Sequence, residues 1–302
     1  MMQFEKKFKD KTGLTWNNRQ QDPKPKKYVF VERSYVTNSE DEEDSQGNDQ
    51  PVRERRKSGG PTCTLDPSVQ SLMELIFNEQ YTAATMDSFN YDAKKMPLGK
   101  LSKATITRGF QALKDLSALI AQAAGTIQPS ECEALSNLYY SLIPHAFPRT
   151  QRPPIISTQD MLKREAELLE SLNDLKNADE IVKRENDEDK VHPLDARFKA
   201  LGLEEMTPLA AHTAEFHEIH NYLIKTCGET HSFDFEVKDI FRIERYGELH
   251  RFQNSKYAKV ASHRRLLWHG SRATNYGGIL GQGLRIAPPE APVSGYMFEK
   301  GM

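Results

Sequence analysis

The chain has 302 residues, 37% of them hydrophobic and 28% charged. That length has room for two domains, and the low apolar share points to folded domains joined by a solvated linker rather than to one large core. A formal net charge of -2 excludes a surface that is cationic all over, so any nucleic-acid contact has to come from a local patch.

The N-terminal "MMQFEKKFKDKTGLTW" alternates charge with single aromatics and has no apolar core of a signal peptide. Its first part predicts an amphipathic helix ending near Gly13, and "KYVFVERSY" alternates like a strand. Residues 1–35 are too few to bury a core unaided and read as the back end of a domain. Residues 36–63 change character: "TNSEDEEDSQGNDQ" is acidic and "PVRERRKSGGP" is basic with two glycines. No apolar period survives there, which predicts a flexible tether. Its Arg53, Arg55, Arg56 and Lys57 fit a nuclear-targeting or DNA-phosphate patch as well as a solvated linker with no partner.

From Asp66 to about Glu185 the period is helical. Asp66 suits an N-cap and Pro67 the first helical position. Val69, Leu72, Met73 and Ile76 then fall on one face. Ile106, Phe110, Leu113 and Ile120 repeat the pattern, as do Leu135, Leu138, Tyr139 and Leu142. In the long segment before Glu185, Leu162, Leu169, Leu172 and Leu175 do the same. Such stripes are packing faces, and residues 64–187 are expected to form an all-helical bundle. After "NDEDKVHPLD" the period shifts. "EFHEIHNYLIKTC" predicts a helix, and "FDFEVKDIFRIERYGE" a long strand carrying Phe233, Phe235, Val237, Ile240 and Ile243. "RRLLWHG" predicts a short buried strand. Residues 192–302 thus read as an α+β domain that is still in progress at Met302.

Cys63, Cys132 and Cys227 are odd in number, far apart and without CxxC spacing, which argues against a disulfide framework or a zinc site and fits a reducing compartment. No run of apolar residues is long enough to span a membrane, so a soluble intracellular protein is expected. His217 and His220 stand three apart on the expected helix, but no third metal ligand converges on them in the sequence.

The chemistry-bearing segment is the tail. His269 can donate and accept hydrogen bonds, Gly270 lets a ligand approach the backbone closely, and Ser271 adds a compact hydroxyl. Gly277 and Gly278 mark a close approach on a following helix. Arg285 offers a planar fork for phosphate or for stacking, and Tyr296 and Phe298 an aromatic wall. Together these describe a nucleotide-like pocket. Each part has a plainer reading: a lone His at a strand end is more often structural, and Ser271 has no base and acid at triad spacing.

The tail as a whole, "RRLLWHGSRATNYGGILGQGLRIAPPEAPVSGYMF", resembles the nicotinamide-pocket segment of the poly(ADP-ribose) polymerases. "MPLGKLSK" (Met96 to Lys103) and "YYSLIPHAF" resemble that family's regulatory helical domain. "KFKDKTGLTWNNR" is similar to the end of its WGR domain, although the Trp-Gly-Arg triplet is absent, and "HPLDARFKAL" is most like the smaller, DNA-dependent nuclear members. The resemblance implies a multidomain chain. Residues 1–35 would be the C-terminal remnant of a WGR domain and 36–63 a linker. Residues 64–187 would be an all-α regulatory bundle and 192–302 the first, incomplete part of an α+β ADP-ribosyltransferase domain.

It further implies NAD as substrate and no metal, acceptor proteins and damaged DNA as partners, a nuclear location and no membrane. His269 would bind the adenosine ribose. Gly270 and Ser271 would hold the nicotinamide carboxamide, Gly278 and Arg285 would border the adenosine side, and Tyr296 would line the nicotinamide pocket. The family completes its catalytic set with a later Tyr and a Glu. Glu290 and Glu299 stand in the wrong context for that Glu, so half a site is expected in these residues. The alternative to an enzyme is a regulatory, DNA-associated fragment without catalysis.

Overall fold

The computed structural model describes residues 2–21, 24, 27–33, 61–122, 129–148, 150–185, 191–226, 236–260 and 266–284. Its helices are α1 (Met2–Thr12), α2 (Pro67–Ile76), α3 (Glu79–Ser88), α4 (Lys103–Gln122), α5 (Pro129–Leu142), α6 (Gln159–Glu185), α7 (Pro193–Ala200), α8 (Ala214–Thr226), α9 (Glu248–Gln253) and α10 (Tyr276–Gln282). Two strands, β1 (Leu203–Pro208) and β2 (Phe241–Arg245), complete the regular elements. A helical region followed by α+β structure is thus the fold class observed. Apart from residues 61–63, the expected linker 36–63 lies outside the described residues.

The described residues form two compact units. The first joins those up to 33 with those from 79 to 179. Its core is built by the stripes expected from the sequence: Ile106, Phe110 and Leu113 of α4, Tyr139 and Leu142 of α5, and Leu162, Leu169 and Leu172 of α6 are all buried. Ser102 starts α4 by accepting from Thr105 N at 3.0 Å, and Thr158 starts α6 by accepting from Met161 N at 3.2 Å. The N-terminal segment packs on this bundle. Phe4, Phe8, Trp16 and Phe30 meet edge to face at 4.9–5.7 Å, and Val29 and Val31 touch the core.

The strand expected in "KYVFVERSY" is not formed among its described residues, which make one isolated bridge, Arg33 to Leu101. The backbone partners come from helices instead: Tyr28 N donates to Lys11 O of α1 at 3.1 Å, and from α4 Arg108 Nη1 donates to Phe30 O at 2.6 Å and Thr105 Oγ1 to Glu32 O at 3.0 Å. Ser34 and Tyr35 lie outside the described residues.

One polar network sits inside this apolar bundle. Glu165 Oε2 accepts from Tyr139 Oη at 2.9 Å and lies 3.0 Å from His145 Nε2, whose Nδ1 is 2.8 Å from Ile143 O. Burial, with the Glu165 charge beside it, pushes the Tyr139 phenol well above its ordinary value. Glu165→Ala takes the carboxylate acceptor from two buried groups, at a cost of about 1–3 kcal/mol each. In a Trp268→Phe background, urea unfolding followed through Trp16 is expected to show a lower midpoint for Glu165→Ala; an unchanged midpoint would remove the network from the account.

The second unit joins residues 61–78 with 180–284. Asp66 caps α2 by accepting from Ser68 N at 2.8 Å, with Pro67 at the first position, and these Ser68 bonds hold the Asp66 carboxyl below its ordinary value. Val69, Met73 and Ile76 of α2 are buried with Ile181, Leu194, Leu201, Met206 and Leu280. Strands β1 and β2 pair antiparallel, Met206 opposite Ile243 and Pro208 opposite Phe241, with an irregularity between Leu203 and Glu205.

The strand expected over Phe233–Ile243 is therefore shorter and later than the alternation implied. Glu236–Ile240 are described outside the ladder, which Leu209 N closes on Ile240 O at 2.7 Å. Phe233 and Phe235 lie outside the described residues. The helix α8 falls where "EFHEIHNYLIKTC" put it, with Phe216 and His220 stacked.

Gly283 ends α10 at φ 84° and ψ 170°, a region nearly confined to glycine. A Cβ there would also run into the Arg245 guanidinium, which Glu248 holds by a charged hydrogen bond of 2.9 Å at Nε. At Gly281 a Cβ would only touch Ile181 and Leu201 at 3.4–4.0 Å. Gly283→Ala is expected to cost about 1–3 kcal/mol. Gly281→Ala, which stiffens a helix, is expected to be neutral or stabilising. Unfolding of the second unit followed through Trp268 checks the pair, and equal effects would contradict it.

Candidate functional site

The His269–Ser271 segment is positioned from three sides of the second unit. Upstream, Trp268 stacks on Tyr222 of α8 with ring centroids 5.6 Å apart, and its Nε1 donates to Thr226 Oγ1 at 2.9 Å. Tyr222 Oη donates to Leu266 O at 2.8 Å. Downstream, Tyr276 Oη donates to His269 O at 3.3 Å, and Asn275 Nδ2 donates to Ser271 Oγ at 3.1 Å. Below, a short 3-10 turn, Ala273–Asn275, packs against α2, and α10 buries Gly277, Gly278 and Leu280.

Here the short buried strand expected from "RRLLWHG" is corrected. Leu266, Leu267 and Trp268 are 67%, 65% and 53% exposed, and no ladder includes them. The reason is visible in the bonds just given: their backbone and ring partners are side chains of α8, not a neighbouring strand. Arg264 and Arg265 lie outside the described residues.

Exposure and hydrogen bonding together define what this segment offers. Gly270 has open space where a Cβ would stand, so its backbone is approachable by a flat ligand. Ser271 Oγ already accepts from Asn275, which leaves its O–H proton free to donate outward. The His269 carbonyl is held by Tyr276, so the backbone under the imidazole has a fixed course. The arrangement suits an amide or hydroxyl-bearing planar group that takes a hydroxyl proton and backbone bonds.

His269, Gly270 and Ser271 are consecutive, and Gly278 lies buried within the α10 that follows them. Arg285 and Tyr296, and with them Phe298, Glu290 and Glu299, lie outside the described residues. Asn275, Tyr276 and Tyr222 are the supporting residues that the sequence reading passed over. Only the spacing Ser271 to Asn275, one helical turn apart, was a signal that the two side chains can meet.

His217 and His220 gain no third ligand among the described residues. The group of metal-ligating side chains found there is Cys63, His192 and Asp195. No described helix is long and apolar enough to cross a membrane.

Comparison with known proteins gives these residues a context. Residues 63–198 match the family model "Poly(ADP-ribose) polymerase, regulatory domain", and residues 213–302 match "Poly(ADP-ribose) polymerase catalytic domain". Poly [ADP-ribose] polymerase 2 of Homo sapiens is 40% identical over 301 residues, 99% of this chain and 49% of that protein. Poly [ADP-ribose] polymerase 2-A of Oryza sativa subsp. japonica is 39% identical over 303 residues, 99% of this chain and 44% of its own length. Poly [ADP-ribose] polymerase 1 of Gallus gallus is 36% identical over 296 residues, 98% of this chain and 28% of its own. The chain thus spans about half the length of the first relatives it matches. Two adjacent models of one family cover both the helical bundle and the His-Gly-Ser segment, and the chain belongs to the poly(ADP-ribose) polymerase family.

Proposed function

We propose that the protein transfers ADP-ribose from NAD to acceptor side chains or to a growing ADP-ribose chain, and that His269, Gly270 and Ser271 bind the NAD. The observation that carries this reading is the open, pre-set hydroxyl of Ser271 beside an unobstructed Gly270, inside the stretch that matches the catalytic-domain model. A carboxamide needs one donor for its oxygen and one acceptor for its N–H. The Ser271 hydroxyl supplies the donor and the Gly270 backbone the acceptor. His269 follows as the donor toward a ribose hydroxyl, and Gly278, with Arg285 and Tyr296, completes the lining on the family's pattern.

In the transfer the glycosidic C–N bond to nicotinamide breaks, nicotinamide leaves with the bonding pair, and an acceptor oxygen forms the new C–O bond as its proton is lost. The ribose carbon is cationic in between. Positioning of NAD and a carboxylate facing that charge are therefore the two requirements. His269, Gly270 and Ser271 would serve the first.

The rest of the reading follows the same resemblance. Residues 64–187 act as the regulatory bundle, 1–35 as part of a WGR domain that senses damaged DNA, and 36–63 as their tether, in a nuclear protein of the DNA-damage response. Its support is the match of nearly the whole chain to polymerases of the family.

Labelled NAD followed by gel separation tests the assignment. The protein at its natural length is expected to become labelled in the presence of nicked DNA. His269→Ala is expected to lower labelling by about 10²–10³, the usual cost of one preorganised group. Labelling indifferent to His269→Ala would contradict the assignment of the site, and no labelling at natural length would support a regulatory, non-catalytic protein instead.

A further inference from the structure

Three side chains of the kinds that hold borderline metal ions meet where the chain enters α2 and begins α7. Cys63 Sγ, a ring nitrogen of His192 and a carboxylate oxygen of Asp195 all lie within 4.8 Å of one another. Cys63 Sγ is 3.2 Å from Asp195 Oδ1. Ligand atoms sharing one tetrahedral zinc stand roughly 3.5 Å apart, so sulfur and carboxylate already have that spacing and the imidazole is the group left to close in.

The surroundings orient all three. Thr64 N donates to both Asp195 oxygens, at 3.1 and 3.0 Å, which fixes the carboxylate plane as outer-shell partners do in metal sites. His192 caps α7, its Nδ1 accepting from Leu194 N at 3.2 Å, with Pro193 at the first position. The charge around the thiol is negative: Asp195 and Glu74 both act on it, after burial itself, to keep its proton on. A thiol, an imidazole and a carboxylate, each half-buried, form the open three-ligand type of set that leaves a fourth position to water.

We propose that Cys63, His192 and Asp195 bind one divalent ion of the zinc class, clamping the segment that leads into α2 to the start of α7. On binding, the thiol proton leaves to solvent. The Sγ–H to Oδ1 hydrogen bond gives way to sulfur–metal and oxygen–metal bonds, and the His192 Nδ1 lone pair turns from the Leu194 N–H to the ion while Nε2 keeps its proton; no electron is transferred. The site spans residues 132 apart in sequence.

Cobalt(II) tests it directly. The reduced, chelator-stripped protein is expected to take up one Co²⁺ at this site, with thiolate-to-cobalt charge transfer and tetrahedral visible bands, and to surrender it to Zn²⁺. Cys63→Ser is expected to lose the charge-transfer band. His192→Asn, which keeps a helix-capping side chain, is expected to weaken Zn²⁺ binding by at least about 10–100-fold with an unchanged helical circular dichroism spectrum. Zn²⁺ is also expected to raise the unfolding temperature reported by Trp268 in the parent and not in either variant. A charge-transfer band that survives Cys63→Ser, or folded protein that takes up no Co²⁺, would overturn the proposal.

Discussion

The apolar face of α2 is the contact on which the second unit depends. Val69, Met73 and Ile76 are almost fully buried, and their partners come from four later elements: Ile181, Leu194 with Leu201, Met206 and Leu280. Full burial of each such side chain contributes about 1.5–3 kcal/mol, while the two-stranded sheet beside them is too small to stand alone. Without α2 the pieces carrying the His-Gly-Ser segment would have no common floor. The family's regulatory match, 63–198, and its catalytic match, 213–302, meet in this one core. The first regulatory helix is, in packing terms, part of the unit that presents the site.

From that floor the site is built by short steps. Leu280 anchors α10, and Gly283 lets the chain leave it at an angle other residues resist. The 3-10 turn before α10 aims Asn275 back at Ser271 and Tyr276 at the His269 backbone. Tyr222 and Thr226 hold Trp268 from the other side. These are modest hydrogen bonds, each worth about 1 kcal/mol. They fix direction more than stability, and direction is what a carboxamide-binding hydroxyl requires. The first unit uses the opposite design, placing its polar network of Tyr139, His145 and Glu165 inside the bundle.

The helices α2, α4, α5, α6 and α8 could be read from the sequence because their stripes repeat at 3.6 residues, with Asp66-Pro67 marking a start, whereas α3 buries only Thr85 and has no stripe to read. Val69, Met73 and Ile76 were legible as a packing face, although nothing local says that Leu280 lies against them. The strands were read less well. β1, "LEEMTP", has two adjacent glutamates among its six residues and ends in proline, so its pattern hides it. "LLWHG" looks like a buried strand because it is apolar, yet its neighbours are side chains of α8. His269, Gly270 and Ser271 were found by resemblance over a long segment rather than by any one residue. Their supports Asn275, Tyr276 and Tyr222 carry no motif. Cys63, His192 and Asp195 were invisible to spacing rules because only the fold brings them together.

Hydrogen exchange of the α10 amides after Met73→Ala tests the dependence of the site on α2 most directly. Truncating this fully buried side chain costs about 2–5 kcal/mol, and each 1.4 kcal/mol is roughly tenfold in an opening equilibrium. The slow amides of Tyr276–Gln282 are expected to exchange at least about 30-fold faster, together with those of α2. Fast exchange in α2 with α10 protection unchanged would show that the His-Gly-Ser segment rests on some other support.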